Sequence, residues 1–176
     1  MALSTYTIDP SHSGIQFIAR HMVITKVRGG FSGFKGTLKL DEEDLTRSSV
    51  EVTIDASTID THEPKRDGHL KSADFLDVEK HPEISFRSTK VTKEGNDLKV
   101  TGDLTIHGVT KSVTLAAEYE GKGKDPWGGE RVAFEGKTSI VREDFGLKWN
   151  QVLEAGGFLV SSKIEIELEV QAIKAA

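Results

Sequence analysis

Lys163-Ile164-Glu165-Ile166-Glu167-Leu168-Glu169-Val170-Gln171 decides the fold class of this chain. Ile164, Ile166, Leu168 and Val170 share one parity. Lys163, Glu165, Glu167, Glu169 and Gln171 share the other. Successive side chains of a strand leave on opposite faces, so this stretch predicts a β-strand with one dry face and one wet face. A helix would scatter the same residues around its whole circumference.

The period of two recurs outward from there. Leu98, Val100, Gly102, Leu104 and Ile106 alternate with Lys99, Thr101, Asp103 and Thr105. Val113, Leu115, Ala117 and Tyr119 alternate with Ser112, Thr114, Ala116 and Glu118. Val50, Val52 and Ile54 form another dry row, as do Phe34, Gly36, Leu38 and Leu40. Val132, Phe134, Gly136 and Ile140 share a parity, Ile15, Phe17 and Ala19 read as a further strand, and Ile84 with Phe86 as a shorter one. Turn residues punctuate the series at Glu94-Gly95-Asn96-Asp97, His107-Gly108 and Asp125-Pro126-Trp127-Gly128-Gly129. Gly121-Lys122-Gly123-Lys124 reads as a flexible turn, too short to divide domains. About eight antiparallel, half-dry strands must hide their dry faces, by closing into a barrel or by stacking two sheets.

One segment breaks the alternation. Pro64 to Phe75 predicts a short helix over 64–72, starting near Thr61 or His62, with Leu70 and Phe75 facing the protein. Gly68 weakens it. The expected fold class is therefore all-β: an antiparallel β-barrel of about eight strands with a short helical cap, in a single domain over 1–176.

Bulk properties narrow the function classes. The chain has 176 residues, enough for a real core without disulfide or metal staples. Its net charge of −5 disfavours nucleic acid as a partner. It has no cysteine, which removes disulfides, thiol nucleophiles and thiolate metal sites. No stretch has the length of a transmembrane helix. Met1 to Asp9 lacks a basic region followed by an apolar one, so the chain as it stands reads as cytoplasmic, and as periplasmic if a signal peptide has been removed.

Catalytic and metal motifs are scarce. The six histidines, His12, His21, His62, His69, His81 and His107, form neither HxH nor HExxH. They read as surface or capping residues, and no metal or cofactor is expected. His12 and His21 bracket an apolar strand and carry the one metal-assisted enzyme reading. Ser11-His12-Ser13 places hydroxyls beside an imidazole, but sequence neighbours rarely make a working nucleophile–base pair. Asp41-Glu42-Glu43-Asp44 and Glu143-Asp144 read as solvated loops. Arg28-Gly29-Gly30-Phe31-Ser32-Gly33 lacks phosphate-loop spacing and reads as a bend with strand kinks. Gly36, Gly102 and Gly136 fall on dry parities, where glycine marks either a bend or room for something else. Periodicity alone leaves two interiors open, a packed core and a lumen.

Several motifs carry a family resemblance. They are Ile8-Asp9-Pro10-Ser11-His12-Ser13 with Phe17, His21, Val27-Arg28-Gly29 with Phe31, Arg66-Asp67 with His69-Leu70, and Ala73-Asp74-Phe75-Leu76-Asp77-Val78. Further on come His81-Pro82-Glu83-Ile84-Ser85-Phe86-Arg87-Ser88, Gly102 to Lys111 (GDLTIHGVTK), and Arg142-Glu143-Asp144-Phe145-Gly146-Leu147. In this order they resemble the YceI-like, polyisoprenoid-binding family over essentially the full length. Tyr6 stands where many members carry tryptophan, and Leu76 where many carry phenylalanine. Many members also have a secretion signal.

The resemblance implies an extended, lipocalin-like barrel, often a homodimer. It implies an apolar channel for the tail of a polyprenyl phosphate, polyprenyl pyrophosphate or isoprenoid quinone, held by a carrier or reservoir rather than an enzyme and exchanged through transient membrane contact. Parity then nominates Phe17, Phe34, Leu38, Ile54, Phe86, Leu104, Leu115, Phe134, Ile166 and Leu168 as the lining. Arg20, His21 and Arg28 are nominated for the head group near a mouth. The competing classes are a solid-core barrel that binds another protein and the metal-assisted enzyme through His12 and His21.

Overall fold

Strand parity dictates closure, and a computed structural model, which describes residues 3–22, 24–150 and 160–175, shows how it is achieved. Eleven strands occur in chain order: β1 (Ser4–Ile8), β2 (Gly14–His21), β3 (Thr25–Phe31), β4 (Phe34–Leu40), β5 (Ser49–Asp55), β6 (Ile59–Asp60), β7 (Glu83–Glu94), β8 (Asp97–Ile106), β9 (Val109–Lys124), β10 (Glu130–Val141) and β11 (Lys163–Lys174). Every pairing among them is antiparallel. The ring runs β1-β4-β5-β7-β8-β9-β10-β11 and closes through β1 on β11, giving the expected eight-stranded barrel.

The other three strands extend staves already in the ring. β1 and β2 both lie along the same edge of β11, at Ile8↔Ala172 and Gly14↔Glu169. Between them the chain makes a 3₁₀ turn at Pro10–His12. The Ser13 hydroxyl mends the ladder there, accepting from Gln171 N at 2.9 Å and lying 3.1 Å from its carbonyl. β3 runs into β4, and β5 into β6, so both pairs continue as long staves beside β1 and β2.

β1, β3 and β6 are strands that alternation did not single out. The stretch read as a bend, Arg28 to Gly33, is mostly strand because its glycines sit beneath neighbours. A Cβ at Gly29 would stand 2.5 Å from Phe17 Cζ, and one at Gly30 would stand 2.8 Å from the Ile15 carbonyl oxygen. Gly121 to Lys124 is likewise not a turn but the end of β9, opposite β10 and beyond a bulge at Ala133/Phe134.

The connection from β6 to β7 carries helix α1 (Pro64–Lys71). The helix starts two residues later than Thr61 and one later than His62 would place it: Glu63 is the cap, and its side chain accepts from Arg66 N. Thr61 and Asp67 instead bond each other across the entry, through the Thr61 N–H and hydroxyl. Leu70 packs on the core and Phe75 is buried, as expected. Phe75 and His69 also meet Trp149, with ring centroids 5.3 and 4.6 Å away, which pins the helix to the chain following β10.

Candidate functional site

Two apolar clusters lie towards the two ends of the barrel. At the α1 end, Ile54, Ile59, Leu76, Ile84, Leu104, Ile106, Ile140, Phe145 and Leu147 are buried together. At the end holding the chain termini, Tyr6, Ile8, Leu40, Leu45, Leu98, Val132 and Ala172 are buried together. Between them the inward rows behave differently. Val113, Leu115 and Ala117 of β9, and Ile164, Ile166, Leu168 and Val170 of β11, point inward yet are only half-buried. Inward apolar groups retain free surface when they face a space instead of one another. That space is a cavity of about 310 Å³ with an almost wholly apolar wall, in the size range of ligand pockets. The interior that periodicity left undecided is thus a lumen.

All ten residues nominated by parity stand on its wall: Phe17, Phe34, Leu38, Ile54, Phe86, Leu104, Leu115, Phe134, Ile166 and Leu168. The dry-parity glycines divide into two kinds. Gly136, opposite Leu168, has nothing nearer than 3.8 Å to a Cβ and so leaves room. At Gly36 and Gly102 a Cβ would strike neighbouring backbone oxygens at 2.7 and 2.5 Å, so these two serve close packing.

The polar groups nominated for a head group lie elsewhere. Arg20, His21 and Arg28 sit in the β2–β3 hairpin, and none of them lines the cavity. Arg20 and Arg28 are exposed. Two charged residues do reach the wall, Glu135, which is exposed, and Arg142, which is 2 % exposed. The Arg142 guanidinium donates to the carbonyls of Ser161 (2.8 Å), Leu147 (2.6 Å) and Trp149 (2.9 Å). Glu143 lies 3.9 Å away. Burial pulls the Arg142 pKa down and the Glu143 carboxylate opposes it. The sequence signal was present in the Arg142-to-Leu147 motif, but arginine's usual exposure hid its meaning.

At the opposite end, fully buried Tyr6 donates to Glu42 at 2.8 Å, and Glu42 also accepts from Lys122 at 3.0 Å. Burial and then the Glu42 carboxylate push the Tyr6 pKa well up, while the Lys122 and Tyr6 bonds hold Glu42 low. The acidic run 41–44 is therefore no mere solvated loop. Asp41 is buried and caps its own turn, accepting from Glu43 N and Asp44 N at 3.0 Å.

A single sequence family accounts for this arrangement. Residues 6–172 match the family model of the YceI-like domain. The chain belongs to the YceI-like family. A UPF0312 protein of Vibrio parahaemolyticus is 40 % identical over 172 residues, which cover 96 % of this chain and 87 % of that one. BcnA of Burkholderia cenocepacia has the same fold, with a TM-score of 0.82 at 22 % identity over 93 % of this chain and 98 % of that one. A polyisoprenoid-binding domain from Saccharophagus degradans shares it too, at a TM-score of 0.69 and 13 % identity over 97 % of this chain and 98 % of that one.

The enzyme readings do not assemble in this YceI-like barrel. His12 precedes β2 and His21 ends it, so strand rise alone sets them roughly 20 Å or more apart. His12 Nδ1 meets both Asp9 (2.8 Å) and the Ser11 hydroxyl (3.1 Å). A serine–histidine–aspartate relay needs the two ring nitrogens on different partners. Asp9 instead caps the 3₁₀ turn and anchors Arg131 at 2.8 Å. Two groups of potential cation ligands occur among the described residues, Asp77/His81/His107 and Glu118/Glu120/Glu135. The glutamates are exposed, and repulsion from Glu135 raises the pKa of Glu120.

Proposed function

We infer that the barrel binds the tail of an isoprenoid lipid, a polyprenyl phosphate or pyrophosphate or an isoprenoid quinone, and serves as its carrier or reservoir. The observation that carries this reading is the half-buried apolar wall running between two buried apolar clusters. A tail gains roughly 0.8 kcal/mol per methylene buried, and a bilayer offers the same gain. Only a lumen that shields most of the tail competes, and one walled by Phe17, Phe34, Phe86, Leu115, Phe134 and Ile166 has the required chemistry. The polyisoprenoid-binding domain of S. degradans, which has the same fold, supports the choice of ligand.

Exchange with a membrane has a natural point of contact in the β2–β3 hairpin. Met22 and Ile24 are exposed at its tip, Ile24 by 79 %. Arg20, Lys26 and Arg28 are exposed on its flanks. An apolar tip among cations suits an anionic lipid surface and the anionic or quinone head of an entering ligand. Gentle purification, organic extraction and lipid mass spectrometry test the reading. A stoichiometric isoprenoid is the expected result. A protein free of lipid that also fails to take up a polyprenyl phosphate or a quinone would overturn it.

A further inference from the structure

The β6–β7 connection and the β8–β9 turn meet at the α1 end of the barrel. A carboxylate oxygen of Asp77 and one ring nitrogen each of His81 and His107 lie there within 4.8 Å of one another. All three residues are half-buried. Among the described residues, none of these three side chains makes a hydrogen bond or ion pair, and the two rings meet only each other, edge to face at 4.8 Å. Three ligand groups that converge without spending their lone pairs on protein partners remain available to a common ion.

The backbone is arranged to bring them together. Asp77 and His107 have φ of 49° and 56°, the left-handed region that costs energy for residues other than glycine. His81 N donates to the Asp77 carbonyl at 2.8 Å, which holds both ligands on one turn. The rings rest on glycine backbone. A Cβ at Gly108 would stand 2.8 Å from His81 Cε1, and one at Gly146 would stand 3.1 Å from His107 Nδ1.

We propose that Asp77, His81 and His107 form a site for a divalent transition-metal ion of the zinc class. Two imidazoles and one carboxylate favour zinc, cobalt or nickel over the hard, all-oxygen preferences of magnesium and calcium. Bonds of about 2.0–2.2 Å place tetrahedral ligand atoms about 3.3 Å apart, so the three atoms close by roughly 1 to 1.5 Å onto the ion. At least one coordination position stays open for water. The ion would tie the segment that supplies Leu70, Phe75 and Leu76 to the cavity wall onto the β8–β9 turn. The site does not depend on what the cavity holds.

The test uses untagged, chelator-stripped protein titrated with ZnCl₂ by calorimetry and with CoCl₂ by visible absorption. One equivalent of zinc should bind and raise Tm, and MgCl₂ should do neither. Asp77→Asn and His107→Asn keep side chains that tolerate the left-handed backbone, so their circular dichroism and cooperative unfolding should be unchanged. Each should weaken zinc binding by about tenfold or more. His12→Ala should bind zinc like the unsubstituted chain. Should either asparagine variant fail to fold, imidazole NMR of the unsubstituted protein decides. Zinc should shift the His81 and His107 signals and spare those of His12 and His62. Absence of saturable one-to-one binding, binding that survives both asparagine variants, or shifts confined to other histidines would overturn the proposal.

Discussion

The Phe86 ring lies against the bare backbone of Gly102, so close that a Cβ there would stand 2.5 Å from Phe86 Cζ and 2.5 Å from the Arg87 carbonyl oxygen. The neighbouring bulge at Ser88/Lys90 adds to the local bend. Gly102→Ala should therefore destabilise the barrel by about 1–3 kcal/mol through overpacking. At Gly136, equally inward in parity, a Cβ would make only ordinary contacts, at 3.8 Å or more. Gly136→Leu should fill the lumen instead. Its Tm should stay close to that of the unsubstituted chain while lipid occupancy falls, as read by denaturant melts and extraction of the same preparations. A G136L barrel that melts early but carries a full lipid load would reverse this assignment.

These two glycines show how much was legible in the sequence. Alternation placed the ten lining residues correctly on the dry face, because a strand's parity needs no knowledge of its partners. It did not distinguish Gly102 from Gly136, because that difference belongs to cross-strand neighbours. β3 stayed hidden for a similar reason. Gly29 and Gly30 break its alternation, and their purpose appears only once Phe17 and Ile15 lie over them. Arg142 was missed because its partners are backbone carbonyls, which leave no trace in a sequence. Asp77, His81 and His107 stand thirty residues apart end to end, and only the packing of one connection on one hairpin unites them.

Arg142 should prove costly to replace. Arg142→Met keeps the apolar stem but leaves the carbonyls of Leu147, Trp149 and Ser161 without their donor. Unmet buried acceptors cost about 1–3 kcal/mol each, partly relieved by relaxation, so a loss of about 2–4 kcal/mol is expected in urea unfolding. Arg142→Lys should recover only part of it, because an ammonium cannot reproduce the planar fork. A neutral outcome for R142M would mean that water replaces the guanidinium.

Stability should fall at both ends of the pH scale, for separate reasons. Asp9 is held well below its ordinary value of 3.8, first by Ser11, then by Arg131 and His12, and Asp125 is lowered by Gly129 N and Arg131. A depressed carboxylate pKa stabilises the fold above the unfolded value and loses that contribution as pH drops through the folded one. The acid limb should thus begin below about pH 4, and Asp9→Asn should flatten it. Tyr6 shifts the other way, well above 10.0. A raised pKa contributes fully below the unfolded value and is lost as pH climbs past it. Tyr6→Phe should remove that alkaline component, measured as Tm from pH 8 to pH 11, and leave Glu42 with Lys122 as its partner.

The β2–β3 hairpin should govern exchange with membranes without governing the fold. Met22 and Ile24 contribute to neither apolar cluster, so Ile24→Asp should leave Tm nearly unchanged. Burying an isoleucine is worth about 1.5–3 kcal/mol, of which an interfacial site recovers part, so I24D should cut partitioning onto anionic vesicles about tenfold. Replacing Arg20 and Lys26 with glutamate should also weaken it, and that loss should shrink as salt screens the surface. Vesicle flotation separates the two effects: the apolar loss persists at high ionic strength and the cationic one does not. Equal flotation of all three proteins would place the membrane contact on another face of the barrel.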